Sequence, residues 1–396
     1  LVVLTDGVEN SARFIADVAG EINELTYAIG LGTPQNTSAA ALQNISGNHG
    51  GFLLITGAID QNNRFLLQKY FLQILAGVSN AEVVLDPDGE LVPGAVHRIP
   101  FRLTDADAGV DVILLSPFVQ AVDFRLQTPS GLILEPWRAD SEPAMRWVLG
   151  RGVSYYRLVL PTQLVQDRFD QGGTWHALLT IGKPRTQPSK GSEDGVDLSI
   201  LRGLHAGPAT RQRELRAAGL PSENQRRFEL AQQFDRDALA TAVIGAAAGE
   251  PAPGQARRTL PYSLIVHSYS SISLRADLQQ SGYEPGATVR VQATLTQSAV
   301  PLEGTASVWA ELLRPDGSST TLALHGSEAG RYATEFNADS TGVYRLRVRA
   351  HGQTRQGMPF TRERSLTAAV WRGGDRDAET DSGGHPGEGA NEQLCE

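Results

Sequence analysis

From Leu1 to Leu4 the chain is an unbroken apolar run that stops at the polar Thr5-Asp6-Gly7, the pattern of a parallel strand buried on both faces. Leu25 to Leu31 predicts a second such strand. Between them Phe14, Ile15, Val18, Ile22 and Leu25 recur at helical spacing, so the segment reads as a strand, helix, strand crossover. Thr37 to Ser46 predicts a short helix and Gly50 to Thr56 another strand. Asn63 to Leu75 predicts an amphipathic helix presenting Phe65, Leu66, Tyr70, Leu72 and Leu75. This unit closes near Val78 and holds only part of a doubly wound α/β domain, because the strands that would begin its sheet are missing.

From Ala81 the period falls to two and turn signals crowd in, at Asp86-Pro-Asp-Gly89, Thr128-Pro-Ser-Gly131 and Arg314-Pro-Asp-Gly317. Strands are predicted through Val110, Val112 and Leu114, through Phe124 and Leu126, and through Trp175, Ala177, Leu179 and Ile181. Near the other end Val289, Val291, Ala293 and Leu295 alternate with polar residues, as do Tyr344, Leu346, Val348 and Ala350 with Arg345, Arg347 and Arg349. Gly173-Thr-Trp-His-Ala-Leu-Leu and Gly342-Val-Tyr-Arg-Leu-Arg-Val share a grammar of Gly, spacer, aromatic and alternation, which suggests two related sandwiches.

The fold class expected is therefore multidomain. A partial α/β doubly wound unit (1–78) precedes two antiparallel β-sandwiches (81–182 and 259–371), with a polar, partly helical linker (183–258) between them and a disordered, Gly- and acid-rich tail (372–396).

Composition narrows the partners. A net charge of -9, spread along the chain, lacks the basic face that nucleic acid requires. The single cysteine, Cys395, excludes an intrachain disulfide and a cysteine-based zinc site. The most apolar stretch, Ala238 to Ala248, falls short of the roughly 18 residues that span a bilayer. An N-terminus at Leu1 without a basic leader reads as a fragment whose start lies upstream.

LVVLTDGVEN, LTYAIGLG, LQNISGNHGGFLLI and the closing amphipathic helix resemble, in order and spacing, the C-terminal half of von Willebrand factor A domains, over residues 1 to about 78. The resemblance implies a metal-ion-dependent adhesion site in which Asp6 matches the Asp of the TDG-like loop. The D-x-S-x-S motif and the Thr that complete the site in that family would lie upstream. Mg²⁺ or Ca²⁺ is thus implied for a longer protein and not for this chain alone, since Asp6 by itself cannot hold a metal. The bland alternative for Asp6 is a residue closing a strand-to-loop junction. An A domain followed by sandwich modules also looks, in architecture, like the calcium-activated chloride channel regulator family.

Other candidate chemistry is thinner. Gly30-Leu-Gly32 lacks the third glycine of a dinucleotide fingerprint, with Gln35 in its place, and reads as a turn. Asp105, Asp107 and Asp111 resemble half of a calcium loop, but Gly109 and Ser116 stand where ligands would be required, which favours a polar turn. The histidines, His49 and His97 among them, form no metal-binding pair, and there is no nucleophile elbow. Trp309 alternates out of phase with Val308 and Ala310, so it lies either in a core or on a binding surface. Arg345, Arg347 and Arg349 read as a solvated face.

The function expected is non-enzymatic: an adhesion or protein-interaction chain, extracellular or at the cell surface, binding a protein partner through a metal-dependent A domain. Two alternatives are an accessory region of a metalloprotease-type enzyme with an upstream catalytic domain, and an intracellular A-domain protein working with an ATPase. No nucleic acid and no membrane span are expected.

Overall fold

The computed structural model describes residues 2–5, 15–23, 26–32, 37–46, 52–59, 64–165, 168–181, 259–302 and 306–374. The predicted linker and almost all of the predicted tail lie outside them.

The chain opens with a small parallel sheet, β1 (Val2–Thr5), β2 (Tyr27–Gly30) and β3 (Phe52–Ile55), in the order β1-β2-β3. Helix α1 (Ala39–Ser46) packs Ala39, Leu42 and Ile45 against Ala28 and Ile55 on one face. The approach is close: a Cβ at Gly30 would meet Leu42 Cδ1 at 2.5 Å, which is why the first glycine of the Gly30-Leu-Gly32 turn stands there. Helix α2 (Leu66–Val78) sets Tyr70 and Ile74 against Tyr27, Ile29 and Leu54 on the other face.

The expectation of a doubly wound α/β domain is overturned. Of the described residues 58% are in strands and 13% in helices, with only two α-helices, and the large sheets are antiparallel. The local runs do form parallel strands, but the segment predicted as a crossover helix is a 3₁₀ turn, Ile15–Glu21. β1 stands at the end of this sheet among the described residues, with Val2 and Leu4 43% and 47% exposed. The three strands are a side lobe on a β structure. β3 lies beside the last strand among the described residues, and Thr367 Oγ1 accepts a hydrogen bond from Ile55 N at 2.8 Å.

The first sandwich comprises β4 (Glu82–Leu85), β5 (Asp88–Leu91), β6 (Val96–Leu103), β7 (Asp107–Leu115), β8 (Val122–Gln127), β9 (Ile133–Leu134), β10 (Met145–Leu149), β11 (Val153–Val159), the short pair β12 (Thr162–Val165) and β13 (Arg168–Asp170), and β14 (Gly173–Ile181). Strand β15 (Leu260–Ser270) then enters between β7 on one side and β4 and β5 on the other. Sheet β6-β14-β8-β9 faces β10-β11-β7-β15 across a core that includes Trp175, Tyr156, Phe124 and Leu264. The Tyr156 hydroxyl is satisfied there by donating to Phe124 O at 2.8 Å.

The second sandwich runs through β16 (Ile272–Gln280), β17 (Ala287–Gln297), β18 (Val300–Pro301), β19 (Ala306–Leu313), β20 (Ser319–Glu328), β21 (Arg331–Ala338), β22 (Gly342–Gln353) and β23 (Pro359–Val370). β20 pairs with β19 through its first half and with β21 through its second, so one strand passes between the two layers. The alternating Val289, Val291, Ala293 and Leu295 all point inward, as their pattern predicts. β4 touches both sandwiches, pairing with β15 and, at Val83, with Glu363 of β23.

Two of the three predicted turns form. Gly131 N donates to Thr128 O and Gly317 N to Arg314 O, with the glycines at φ +90° and +82°. Asp86-Pro-Asp-Gly89 does not reverse the chain. β4 and β5 run on along the same partner, β15, and Asp86 is buried at the break between them.

The two sandwiches share a structural motif. Gly173 and Gly342 have φ of +129° and +137°, and a Cβ on either would meet the Cβ of Pro129 (2.9 Å) or Pro315 (2.6 Å) in the facing turn. Two residues later an aromatic donates to the carbonyl four residues before it: Trp175 Nε1 to Gln171 O at 2.9 Å, and the Tyr344 hydroxyl to Ser340 O at 2.8 Å. The register agrees too, since His176 lies opposite Gln127 and Arg345 opposite Leu313, each two residues before the proline.

The sandwiches are joined by Arg362 and Asp107, both side chains fully buried, with Nη2 2.7 Å from Oδ1. Arg362 also donates to Ile272 O and Ser270 Oγ, while Thr104 N and Oγ1 donate to Asp107 Oδ2. Asp107→Ala is expected to lower the unfolding free energy by about 3–5 kcal/mol, because it strands a buried guanidinium; Asp107→Leu with Arg362→Met should recover much of that. Urea unfolding of both variants checks this, and a double variant no better than the single would refute it.

His267, on β15 opposite Asp111, is buried with Nε2 unpartnered, and its pKa is lowered to about 4 from 6.5. Burial is the largest cause, Arg364 adds to it and Asp111 opposes it. Between pH 6.5 and 4 the unfolded chain takes up a proton that the folded one refuses. The contribution is thus complete above that window and is lost as pH falls through it, by about 3 kcal/mol in all. The drop in unfolding free energy from pH 7 to about 4 should be smaller in His267→Leu by that amount.

Candidate functional site

The side of α2 that meets the sandwiches is polar. Lys69 and Gln73 are buried there, while Phe71, Leu75 and Val78 face outward. This departs from the apolar face that the sequence predicts, which places Leu75 inward. The cause is the surface that α2 covers: β4 brings Asp86, and β22 and β23 bring Arg345, Arg347 and Ser365.

A cleft of about 270 Å³ opens where these elements meet. Its polar floor is Lys69, Tyr70, Gln73, Asp86, Arg345 and Arg347. Leucines from α2, β19, β22 and β23 line its walls. Lys69 Nζ lies 2.8 Å from Asp86 Oδ1 and 3.0 Å from Asp88 Oδ1. Gln73 Nε2 donates to Asp86 Oδ2 at 3.3 Å and to Ser365 Oγ at 2.8 Å, and Arg347 Nη1 donates to Asp86 O at 3.1 Å. Arg345 Nη2 donates to Thr56 O at 2.8 Å, tying the cleft to the small lobe.

A second tier of charge lies along β22. Glu363, almost fully buried on β23, is 2.8 Å from Arg349 Nη2 and 3.6 Å from Arg347 Nε. Glu311 on β19 approaches the same two arginines at 2.7 and 3.3 Å. The Arg349 guanidinium also lies 5.8 Å from the Trp309 ring centre, so that half-buried tryptophan packs beneath a cation. Of the arginine face expected to be solvated, Arg347 and Arg349 are therefore held in a paired network.

The protonation states follow from these neighbours. Burial acts to depress the Lys69 ammonium, but Asp86 and then Asp88 outweigh it and hold its pKa above the ordinary lysine value. Tyr70 is pushed up to about 12, chiefly by burial and against the pull of Arg345, so its phenol stays protonated. Burial also raises Glu363, opposed by Arg347 and Arg349.

Of the residues singled out from sequence, Asp6 lies outside the described residues, as does His49. Asp105, Asp107 and Asp111 form no cation loop: Asp107 pairs with Arg362, Asp111 accepts Arg157 Nε at 2.7 Å, and Asp105 is exposed. His97 Nε2 accepts from Val92 N and sits edge-on to Tyr262. Among the described residues no group of three or more His, Cys, Asp or Glu could hold a metal ion, and no helix is long and apolar enough to cross a membrane. Of the cleft residues, Arg345 and Arg347 stand out in the sequence as members of an alternating arginine row, whereas Lys69 and Gln73 show only as a lysine and a glutamine on one flank of an amphipathic helix.

Comparison with known proteins bears on part of the chain. Residues 268–370 match the family model of the conditioned medium factor second Ig-like domain, which is the second sandwich and the last residues of β15. No curated protein matches the chain in sequence. Solved structures are similar only loosely. A DUF4785 family protein from Legionella pneumophila is 12% identical, with 75% of this chain and 66% of that one covered and a TM-score of 0.34. A Bacillus licheniformis lipase in its propeptide form is 10% identical, with 94% and 74% covered and a TM-score of 0.35. A Parabacteroides distasonis β-1,2-glucanase is 8% identical, with 74% and 36% covered and a TM-score of 0.21. The A-domain likeness finds no support among these; the Ig-like character of the second sandwich does.

The buried pair at the cleft floor gives a direct test of its energetics. Lys69→Met should destabilise the fold by about 3 kcal/mol, because Asp86 is left buried without its cation. Asp88→Asn should change stability by less than about 1 kcal/mol, since that carboxylate is 63% exposed. Equal losses in chemical denaturation would show that the pair does not carry the floor.

Proposed function

We propose that this chain is a non-enzymatic protein-interaction module that binds a peptide segment of a partner protein in the α2 cleft. The observation that carries the reading is the cleft itself, open to solvent, with charged and hydrogen-bonding side chains between leucine walls. The leucine walls offer apolar contact on either side, as in peptide grooves generally.

The states of the cleft's titratable groups favour binding over catalysis. A lysine held between two carboxylates is a poor base, and a phenol near pKa 12 is a poor acid at neutral pH. The Ig-like second sandwich supplies four strands of the wall and floor, from an architecture that hosts many recognition modules and no one chemistry.

Selection of a random peptide display library on the intact chain tests the reading. Enriched peptides should bind the wild type and be displaced from it by one another. Leu313→Arg, a change at a 37% exposed rim residue, should weaken them about tenfold or more. Failure to enrich any peptide, or enrichment indifferent to the rim variant, would remove the cleft as the binding surface.

A further inference from the structure

Three rows cross from β19 to β22 on the outer face of the second sandwich: Trp309 opposite Arg349, Glu311 opposite Arg347 and Leu313 opposite Arg345. The first row is closed by its own ring, because the Arg349 guanidinium lies 5.8 Å from the Trp309 ring centre. Arg347 belongs to the same network, sharing Glu311 and Glu363 with Arg349. Pairing with those two carboxylates does not keep Arg349 off an aromatic face. Among the described residues, however, no ring stacks on Arg347, and its side chain, 30% exposed, lines the cleft instead.

The rest of the cleft narrows what can cover that guanidinium. Three cations, Lys69, Arg345 and Arg347, face three carboxylates, Asp86, Asp88 and Glu311, so a charged ligand of either sign meets as much repulsion as attraction. The volume of about 270 Å³ lies just below the roughly 300–1,000 Å³ of small-molecule pockets and gives room for one large side chain. Of the wall leucines, Leu66 on α2 and Leu313 on β19 keep surface exposed and offer apolar contact. A flat ring meets all three conditions: it is apolar, carries no net charge, and has a negative face that a cation attracts.

The geometry points to an aromatic side chain of the partner peptide as the group this cleft recognises, its ring face on the Arg347 guanidinium, as Trp309 lies at Arg349, and its edges against Leu66 and Leu313. This rests on the interaction reading above and names the residue class that anchors the peptide. Arg347 is already held by Glu311, Glu363 and Asp86 O, so the ring meets a cation in place.

Titration of the full chain, ¹³C-labelled at its leucine methyls and followed by NMR, tests this without any variant. The probes are the acetylated amides of phenylalanine, cyclohexylalanine, glutamate and lysine. The phenylalanine probe should give saturable shifts, with the Leu313 methyls moved upfield by the ring current. Cyclohexylalanine has the same outline and is more apolar but lacks the aromatic quadrupole, so it should bind at least about threefold more weakly. The two charged probes should not saturate. Arg347→Lys keeps the charge beside Glu363 and removes the planar face, so it should erase most of the preference for phenylalanine over cyclohexylalanine. Cyclohexylalanine or a charged probe binding as tightly as phenylalanine, or no saturable shift from phenylalanine, would overturn the aromatic assignment. Display-selected peptides that lack an aromatic residue and are still weakened by Leu313→Arg would leave the interaction reading standing and this one refuted.

Discussion

A guanidinium with no access to solvent, Arg362, opposite an equally buried carboxylate, Asp107, fixes how the two sandwiches meet. Neither charge tolerates burial alone, and each has further hydrogen bonds: the arginine donates to Ile272 O and Ser270 Oγ, and the aspartate accepts from Thr104 N and Oγ1. Any displacement of β23 relative to β7 separates the pair before it disturbs much apolar contact. The junction is therefore specified by a few directional contacts, whereas the cores on either side are specified by volume and alternation.

The same logic extends outward from that junction. β4 is hydrogen-bonded to β15 on one side and to β23 at Val83 and Glu363, so the sheet of the first sandwich continues into the second. Where β4 gives way to β5, Asp86 is buried against α2, and the helix answers with Lys69 and Gln73. A helix that turns its polar flank inward must leave apolar residues outside, which accounts for the exposure of Phe71, Leu75 and Val78. The cleft is thus a consequence of joining two sandwiches and a small lobe through charges. Three surfaces meet there, and their leucines do not close over the polar floor.

Alternation made the sandwich strands legible, because a strand with one wet face writes its register into the sequence: Val289 to Leu295 and Tyr344 to Ala350 are buried at the positions their period marks. Turns with a glycine at positive φ were legible for the same local reason. The place of β15 was not, because residues 182–258 separate it from β14 and nothing local distinguishes a strand that completes the first sandwich from one that begins the second. The doubly wound reading failed on a related point. Apolar runs and a helical period establish parallel strands and helices, but the extent of the sheet and what lies beside it are long-range facts. The cleft itself was hidden because a lysine, a glutamine or alternate arginines ordinarily mark solvent, and only the partner strand reveals which of them are buried.

Placing a site on such a seam has an energetic consequence. Thr56, Arg345 and Gln73 come from the small lobe, the second sandwich and the helix between them, and Asp86 from the first sandwich. A ligand seated in the cleft touches several of these elements at once, so its binding free energy is linked to the integrity of the seam. The ion pairs already present hold Arg347 and Lys69 in place without the ligand, so little side-chain ordering is left to be done on binding. The buried charges that make the seam costly to assemble are thereby the same groups that set the polarity of the cleft before anything binds.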